Sequence, residues 1–308
     1  MAGGTLALLA VSLAACGSPG SPKTSGATAA LPTASVTAPA EIASVPVQVI
    51  QTGRGQVAYR QLGTGIPLLL IMGLGGSIDD WEPAFINALA ARYRVIVFNN
   101  AGVGRTSPLP SPLTISAMAE QTSAFIAALD LSRVDVLGWS MGGMIAQALT
   151  VLHPAQVGRL VLAATQAGTG QALGVPGAAA ADAVSSNPAA VLSVLFPPGQ
   201  AAAEQRYVTG ILTYPGYYGA PRELVASQSA AVQAWLNGTD ASGHLLGGIR
   251  VPALVADGTV DALDPAANDR LLAAAIPGAQ LVLYPGAGHG FLFQDAASFI
   301  PRLEKFLG

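Results

Sequence analysis

The sequence predicts an α/β domain: a mostly parallel, eight-stranded sheet flanked by helices, with an inserted helical cap. Three observations point there. Short continuous apolar runs of strand length alternate with stretches of helical periodicity. One of those runs passes through Gly138-Trp139-Ser140-Met141-Gly142-Gly143 straight into an apolar helical pattern. A long segment, residues 166–248, interrupts the alternation with Ala-rich helical stretches and frequent Pro and Gly.

In chain order, residues 47–52 and 56–62 read as paired strands joined by the turn Gly53-Arg54-Gly55. Residues 67–72 form an unbroken apolar run, as a strand buried on both faces requires. Residues 93–98, 134–137, 160–164, 253–256 and 280–284 share that character. Phe85, Ile86 and Leu89 recur at helical spacing, as do Ile115, Met118, Phe125, Ile126 and Leu129 behind Thr114, which is placed to cap them. Phe299, Ile300, Leu303, Phe306 and Leu307 predict a last helix, with Pro301 expected to delay its start or bend it. Within the insertion, Leu195, Phe196, Tyr207, Ile211, Tyr214, Tyr217, Tyr218 and Trp235 divide between packing onto the core, expected for the majority, and lining a pocket.

Composition bounds the function. Of 308 residues 51% are hydrophobic and 10% charged, against roughly a quarter charged in ordinary domains. Such a chain builds a core that needs no disulfide or metal. The net charge of −3 and the absence of any Lys/Arg cluster argue against a nucleic-acid partner. Three His and one Cys, with no close pairs, predict no metal site, and no cofactor is expected.

The apolar run at 6–15 is too short to span a bilayer, which takes about 20 residues, but has the length of a signal-peptide core. It ends in Leu13-Ala14-Ala15-Cys16-Gly17, which resembles the bacterial lipoprotein signal box. That resemblance implies a signal peptide at 1–16, lipidation of Cys16 and an exported protein, lipid-anchored on the extracytoplasmic side of the membrane or secreted. Cys16 is the sole cysteine, which suits lipidation. No Lys or Arg precedes it, a departure that a start upstream of Met1 would explain. Residues 17–45 are rich in Ser, Thr, Pro and Ala and predict a flexible tether.

The chemistry centres on Ser140. A strand, Gly-x-Ser-x-Gly and a helix in succession form a nucleophile elbow, in which Gly138 and Gly142 remove side chains that would collide across the turn. The turn aims the helix amino terminus at the reaction centre. A serine hydroxyl is a weak nucleophile; it needs a base, and the base an orienting acid. On elbow-type folds the acid and then the histidine follow the serine. His289, in the loop Pro285-Gly286-Ala287-Gly288-His289-Gly290 after the last strand, is the expected base. His244 lies in the connection from the insertion and reaches substrate at most; His153 ends the helix after Ser140 and reads as structural. Asp261 is the expected acid, ahead of Asp257, while Asp264 before Pro265 reads as a helix N-cap. The oxyanion donors should be the amides of Met141 and of Leu74, in Met72-Gly73-Leu74-Gly75-Gly76-Ser77. That glycine loop lacks the Lys-Ser/Thr of a phosphate-binding loop.

With these residues in view, 47–307 resembles the prokaryotic α/β-hydrolase family of esterases, C–C-bond hydrolases and cofactor-free perhydrolases. The matching pieces are the Met72–Gly76 loop, the elbow, the Asp261 turn, the His289 loop and Asn99-Asn100-Ala101-Gly102-Val103-Gly104-Arg105-Thr106-Ser107. The family usually has His where Met72 stands, and commonly Asp and Arg in place of Asn100 and Ala101. Ser rather than Asp as nucleophile argues against epoxide hydrolysis and dehalogenation. The resemblance implies a serine hydrolase of the carboxylesterase or lipase type, working through an acyl-enzyme on Ser140. A C–C-bond hydrolase, peptidase or perhydrolase on the same triad is the alternative, and a non-catalytic ligand-binding surface protein another. The apolar insertion points to a small hydrophobic ester or lipid-like substrate. The expected organisation is signal peptide 1–16, linker 17–45, core 46–165 with 249–308, and cap 166–248.

Overall fold

The computed structural model describes residues 41–308; the signal peptide, Cys16 and nearly all of the linker lie outside them. The linker boundary falls slightly late. Residues 42–44, assigned to the tether, form a 3-10 turn in which Ile42 is fully buried against the core and donates its amide to Asn87 Oδ1 at 2.9 Å. No helix among the described residues is long and apolar enough to cross a membrane.

Eight strands form one sheet: β1 (Gln48–Thr52), β2 (Gly55–Leu62), β3 (Pro67–Ile71), β4 (Arg94–Phe98), β5 (Val134–Trp139), β6 (Val157–Ala163), β7 (Ala253–Gly258) and β8 (Gln280–Tyr284). Their order is β1-β2-β4-β3-β5-β6-β7-β8, with β1 and β2 antiparallel to their neighbours and the rest parallel. The continuous apolar runs follow from burial on both faces. Leu68 and Leu70 face one core cluster while Leu69 and Ile71 face the other; Val95 and Val97 alternate with Ile96 and Phe98 in the same way. Helices α1 (Pro83–Ala90) and α10 (Ala296–Leu307) cover the first face, and α2 (Ile115–Ala128), α3 (Met141–Leu152) and α8 (Ala266–Ala275) the second. Thr114 caps α2 as expected, its hydroxyl accepting from the Ala117 amide at 3.0 Å. Pro301 does not delay α10, which begins at Ala296 and runs through it; Phe299, Leu303 and Leu307 bury the helix on either side of the missing hydrogen bond.

Between β6 and β7 the chain forms α4 (Gly177–Ala183), α5 (Pro188–Leu195), α6 (Ala201–Ile211), α7 (Arg222–Leu236) and a 3-10 stretch, Ala241–Gly248. The aromatic residues of this insertion mainly pack. Tyr207 and Tyr214 are buried and donate their hydroxyls to the carbonyls of Asp80 and Trp81, at 3.1 and 2.9 Å. Tyr217 donates to Asp80 Oδ1, and Tyr218 accepts from Asn99 Nδ2, both at 2.7 Å. Trp235 is fully buried and donates to the Gln166 carbonyl. The Tyr214 ring also lies 4.8 Å from the Arg60 guanidinium, which is buried in an ion pair with Asp79. The pair joins β2 to the segment after β3, and Tyr214 seats the insertion on both, through its ring on Arg60 and its hydroxyl on Trp81.

Removing one partner of such a pair strands a buried charge, a loss of about 3–5 kcal/mol. Asp79→Ala should therefore destabilise the fold by about 3 kcal/mol in urea unfolding. A loss below about 1 kcal/mol would show that Arg60 finds water or another acceptor.

Candidate active site

Ser140 sits between the last residue of β5 and the first of α3, with φ 57° and ψ −126°. A non-glycine residue pays strain to hold that geometry, and the surroundings impose it. The Ser140 amide donates to the Ala163 carbonyl at 2.9 Å, and its carbonyl accepts from Thr165 Oγ1 at 2.7 Å and from the Gly143 amide at 2.8 Å. A Cβ on Gly138 would lie 2.3 Å from the Gly142 carbonyl oxygen, and one on Gly142 would lie 2.0 Å from that of Ile71. Both contacts are with backbone, so neither glycine has a substitute. The collision expected across the turn is real for Gly138; Gly142 is needed chiefly to bring α3 against β3.

The loop after β3 meets the turn from the other side. A Cβ on Gly73 would stand 3.1 Å from Ser140 Cβ and 3.6 Å from its Oγ, which puts this loop in contact with the serine. Asn100 Nδ2 donates to the Met72 carbonyl at 2.8 Å, so the asparagine found where the family commonly has Asp tethers the loop. The amides of Leu74 and Met141 donate to no backbone acceptor among the described residues.

His289 lies in the loop after β8, nine-tenths buried, with its Nδ1 2.6 Å from Asp261 Oδ2. Its carbonyl accepts from Trp139 Nε1 at 2.9 Å, and the two rings are 5.8 Å apart. The residue immediately before Ser140 thus pins the histidine loop. Asp261 Oδ1 accepts from the amides of Leu263 and Asp264 at 2.6 and 2.9 Å. Three accepted bonds suit an ionised carboxylate, which sets the proton on Nδ1 and leaves the Nε2 lone pair free. The Ser140 hydroxyl makes no hydrogen bond to His289 among the described residues; such links often tighten only around substrate. His153 pairs with Glu120 at 2.9 Å and His244 with the Gly238 carbonyl at 2.6 Å, so neither joins this group. A surface depression of about 430 Å³ at the amino ends of β5 and β6 is lined by Asp135, Arg133 and Arg159, at the opposite end of those strands from Ser140.

Asp257 and Asp264 do something the sequence reading missed. With Asp269 of α8 they form a trio, fully buried, whose nearest oxygens lie within 4.8 Å of one another. Asp264 is not a cap: Pro265 occupies the N-cap position, and both Asp264 oxygens turn inward without a hydrogen-bond partner. The amides of Asn268 and Gln166 approach Asp264 but miss hydrogen-bonding geometry. Oxygen donors of this kind suit a hard cation in type, whereas the expectation of no metal rested on His and Cys spacing. Burial, reinforced by repulsion from Asp261 and from one another, raises the Asp257 and Asp264 carboxyls well above their ordinary range. The same causes, burial foremost, push Asp269 up to about 7. Asp261 stands apart from the trio in its partners, accepting from two amides and facing His289. Asp257 and Asp264 stood out in the sequence, but Asp269, inside α8, did not; its place beside them follows from the packing of α8 on β7.

A carboxyl whose folded pKa is raised stabilises the fold fully below its unfolded pKa, about 4, and loses that contribution as pH rises through the folded value. For Asp269 the window runs from about pH 4 to beyond 7. The melting temperature should fall by about 4 °C or more between about pH 5.5 and 8.5, and Asp269→Asn should remove at least half of that fall. An unchanged slope in the variant would show that Asp269 ionises without penalty.

The sequence profile of the alpha/beta hydrolase fold family matches residues 66–296. A poly(3-hydroxyalkanoate) depolymerase from Ectopseudomonas oleovorans is 34% identical over 254 residues, covering 78% of this chain and 84% of that protein. A putative carbamate hydrolase from Azorhizobium caulinodans is 29% identical over 271 residues, 83% of this chain and 96% of its own. Among solved structures, an alpha/beta hydrolase fold protein from Chitinophaga pinensis superposes with a TM-score of 0.77 at 26% identity, covering 87% of this chain and 99% of that one. Sheet order, elbow and profile agree: the chain belongs to the alpha/beta hydrolase fold family.

Proposed function

We propose that this protein is a serine hydrolase that cleaves carboxylic esters through an acyl-enzyme on Ser140. The observation that carries the reading is the 2.6 Å bond from His289 to Asp261 beside a serine held at φ 57°. His289 Nε2 takes the Ser140 proton as the oxygen attacks the ester carbonyl. The Leu74 and Met141 amides receive the oxyanion, and Asp261 stabilises the imidazolium. His289 then protonates the leaving alcohol, and water, activated by the same base, releases the acid. A positioned base is worth about 10²–10⁴ in rate, and each oxyanion donor about 10²–10³.

The substrate class is a small hydrophobic or lipid-like ester. Poly(3-hydroxyalkanoate), named for the depolymerase relative, is an ester-linked chain with apolar side groups, which supports that choice. The carbamate hydrolase relative favours a second reading, a carbamate carbonyl attacked by the same serine. In this proposal residues 166–248 act as the cap. Support comes from the Leu195 carbonyl, which accepts from Gly290 next to His289 at 2.8 Å, and from Leu224, within 3.2 Å of where a Gly102 Cβ would stand. Lipidation of Cys16 and an extracytoplasmic, membrane-anchored location are part of the same proposal, on the strength of Leu13-Ala14-Ala15-Cys16-Gly17.

A fluorophosphonate probe should label the purified protein. Ser140→Ala should abolish labelling, and His289→Ala or Asp261→Asn should slow it by about 10³-fold or more. A folded wild type that does not label would refute the mechanism. Expressed in a bacterium fed radiolabelled palmitate, the full chain should incorporate label, and Cys16→Ser should not. Equal incorporation in both would refute lipidation at that residue.

A further inference from the structure

The loop that carries Leu74 is held at its two ends by the core and in its middle by the insertion. At the near end Asn100 fixes the Met72 carbonyl. At the far end Ser77 and Asp80 close a capping box, and the Ile78 amide donates to Asn99 Oδ1 at 2.8 Å. Between these anchors lie Gly73, Leu74, Gly75 and Gly76, a stretch with little intrinsic stiffness. Gly75 adopts φ +74°, and both of its peptide groups bind the insertion. Its carbonyl accepts from the Ala220 amide at 3.1 Å, and its amide donates to Gln228 Oε1 at 2.8 Å.

Gln228 is an odd residue for its place. It lies on the face of α7 that buries Ala231 and Trp235, and it is itself fully buried. Its Nε2 has no hydrogen-bond partner among the described residues. A Met or Leu would fill such a stripe without stranding a donor. What only an amide or acid supplies here is an acceptor for Gly75. That acceptor fixes the Leu74–Gly75 peptide plane.

We propose that Gln228 is a positioning residue: from the insertion it holds Gly75 so that the neighbouring Leu74 amide stands ready for the oxyanion. The inference rests on the serine-hydrolase reading, in which Leu74 is a donor. Its effect should appear in the chemical step and not in binding, because oxyanion donors act on charge that develops only in the transition state.

The test uses the rate of phosphonylation by an alkyl fluorophosphonate, resolved into kinact and KI, with the end-point stoichiometry counting competent sites. Gln228→Met removes the acceptor at nearly constant volume and should lower kinact per competent site about 10- to 100-fold, with KI within about twofold. Gln228→Glu keeps an oxygen facing Gly75 and should stay within about threefold of wild type. Gln228→Asn draws the acceptor back by one methylene; it should fall with the methionine variant and serves if that variant yields no competent sites. Wild-type kinact in Gln228→Met or Gln228→Asn would overturn the inference. So would equal losses in the glutamate and methionine variants, or a change confined to KI, since these mark plain packing. Failure of the wild type itself to label would instead remove the serine-hydrolase reading beneath it.

Discussion

The site depends on a reversal in the winding of the sheet. From β3 the chain crosses outward to β4, and it then returns past β3 to lay down β5 on the other side. The loops leaving β3 and β5 therefore diverge, and a crevice opens above the carboxyl ends of two adjacent strands. Everything chemical is arranged around it. Ser140 tops β5, the Gly73 loop tops β3, and a Gly142 without a side chain lets α3 start against the Ile71 carbonyl. Any residue with a Cβ there would force the two strands apart, so the strain at Ser140 and the close approach of β3 are one constraint seen from two positions.

Electrostatics extends the arrangement outward to β7 and α8. Four aspartates crowd the connection after β7, and water reaches hardly any of them. Charges crowded there repel one another, and the hydrogen bonds are shared out unequally among the four. Asp261 accepts two amides and a histidine, while Asp264 and Asp269 accept nothing and Asp257 keeps one oxygen bare. The carboxylate that faces His289 is thereby the best hydrogen-bonded of the four. Burial first, and mutual repulsion second, raise the carboxyls of the other three above their ordinary range.

The sheet, the turn at Ser140 and the two loops that bring Asp261 to His289 were legible in the sequence because each rests on a local pattern. Apolar runs mark strands buried on both faces, and a strand–glycine–serine–glycine–helix passage admits few other readings. What escaped depends on contacts between distant segments. Asp-Pro at 264–265 carries the local signature of a cap, yet Asp264 turns inward because packing of α8 against the 166–173 segment leaves it no route to solvent. Tyr207 and Tyr214 look alike whether they line a pocket or donate to a backbone carbonyl; only the position of the Asp80-Trp81 segment decides. Gln228 carries no local signal, since its partner lies 153 residues away. Pro301 did not delay the start of α10 for the complementary reason: burial of Phe299, Leu303 and Leu307 outweighs one lost backbone bond.

These long-range contacts give the insertion two different relations to the site. Through Tyr207, Tyr214 and Tyr217 it is tied to Asp80 and Trp81, after the Gly73–Gly76 loop, through Tyr218 to Asn99 after β4, and through Ala220 to the loop itself. Through Leu195 it touches the histidine loop at Gly290. Helices α5 to α7 therefore cannot shift as a body without disturbing groups on both sides of Ser140. Helix α4 differs: none of its residues is buried. Helix α7, by contrast, buries Gln228, whose side chain accepts from the Gly75 amide. The insertion is thus tied to the core from α5 onward, by hydrogen bonds on both sides of Ser140.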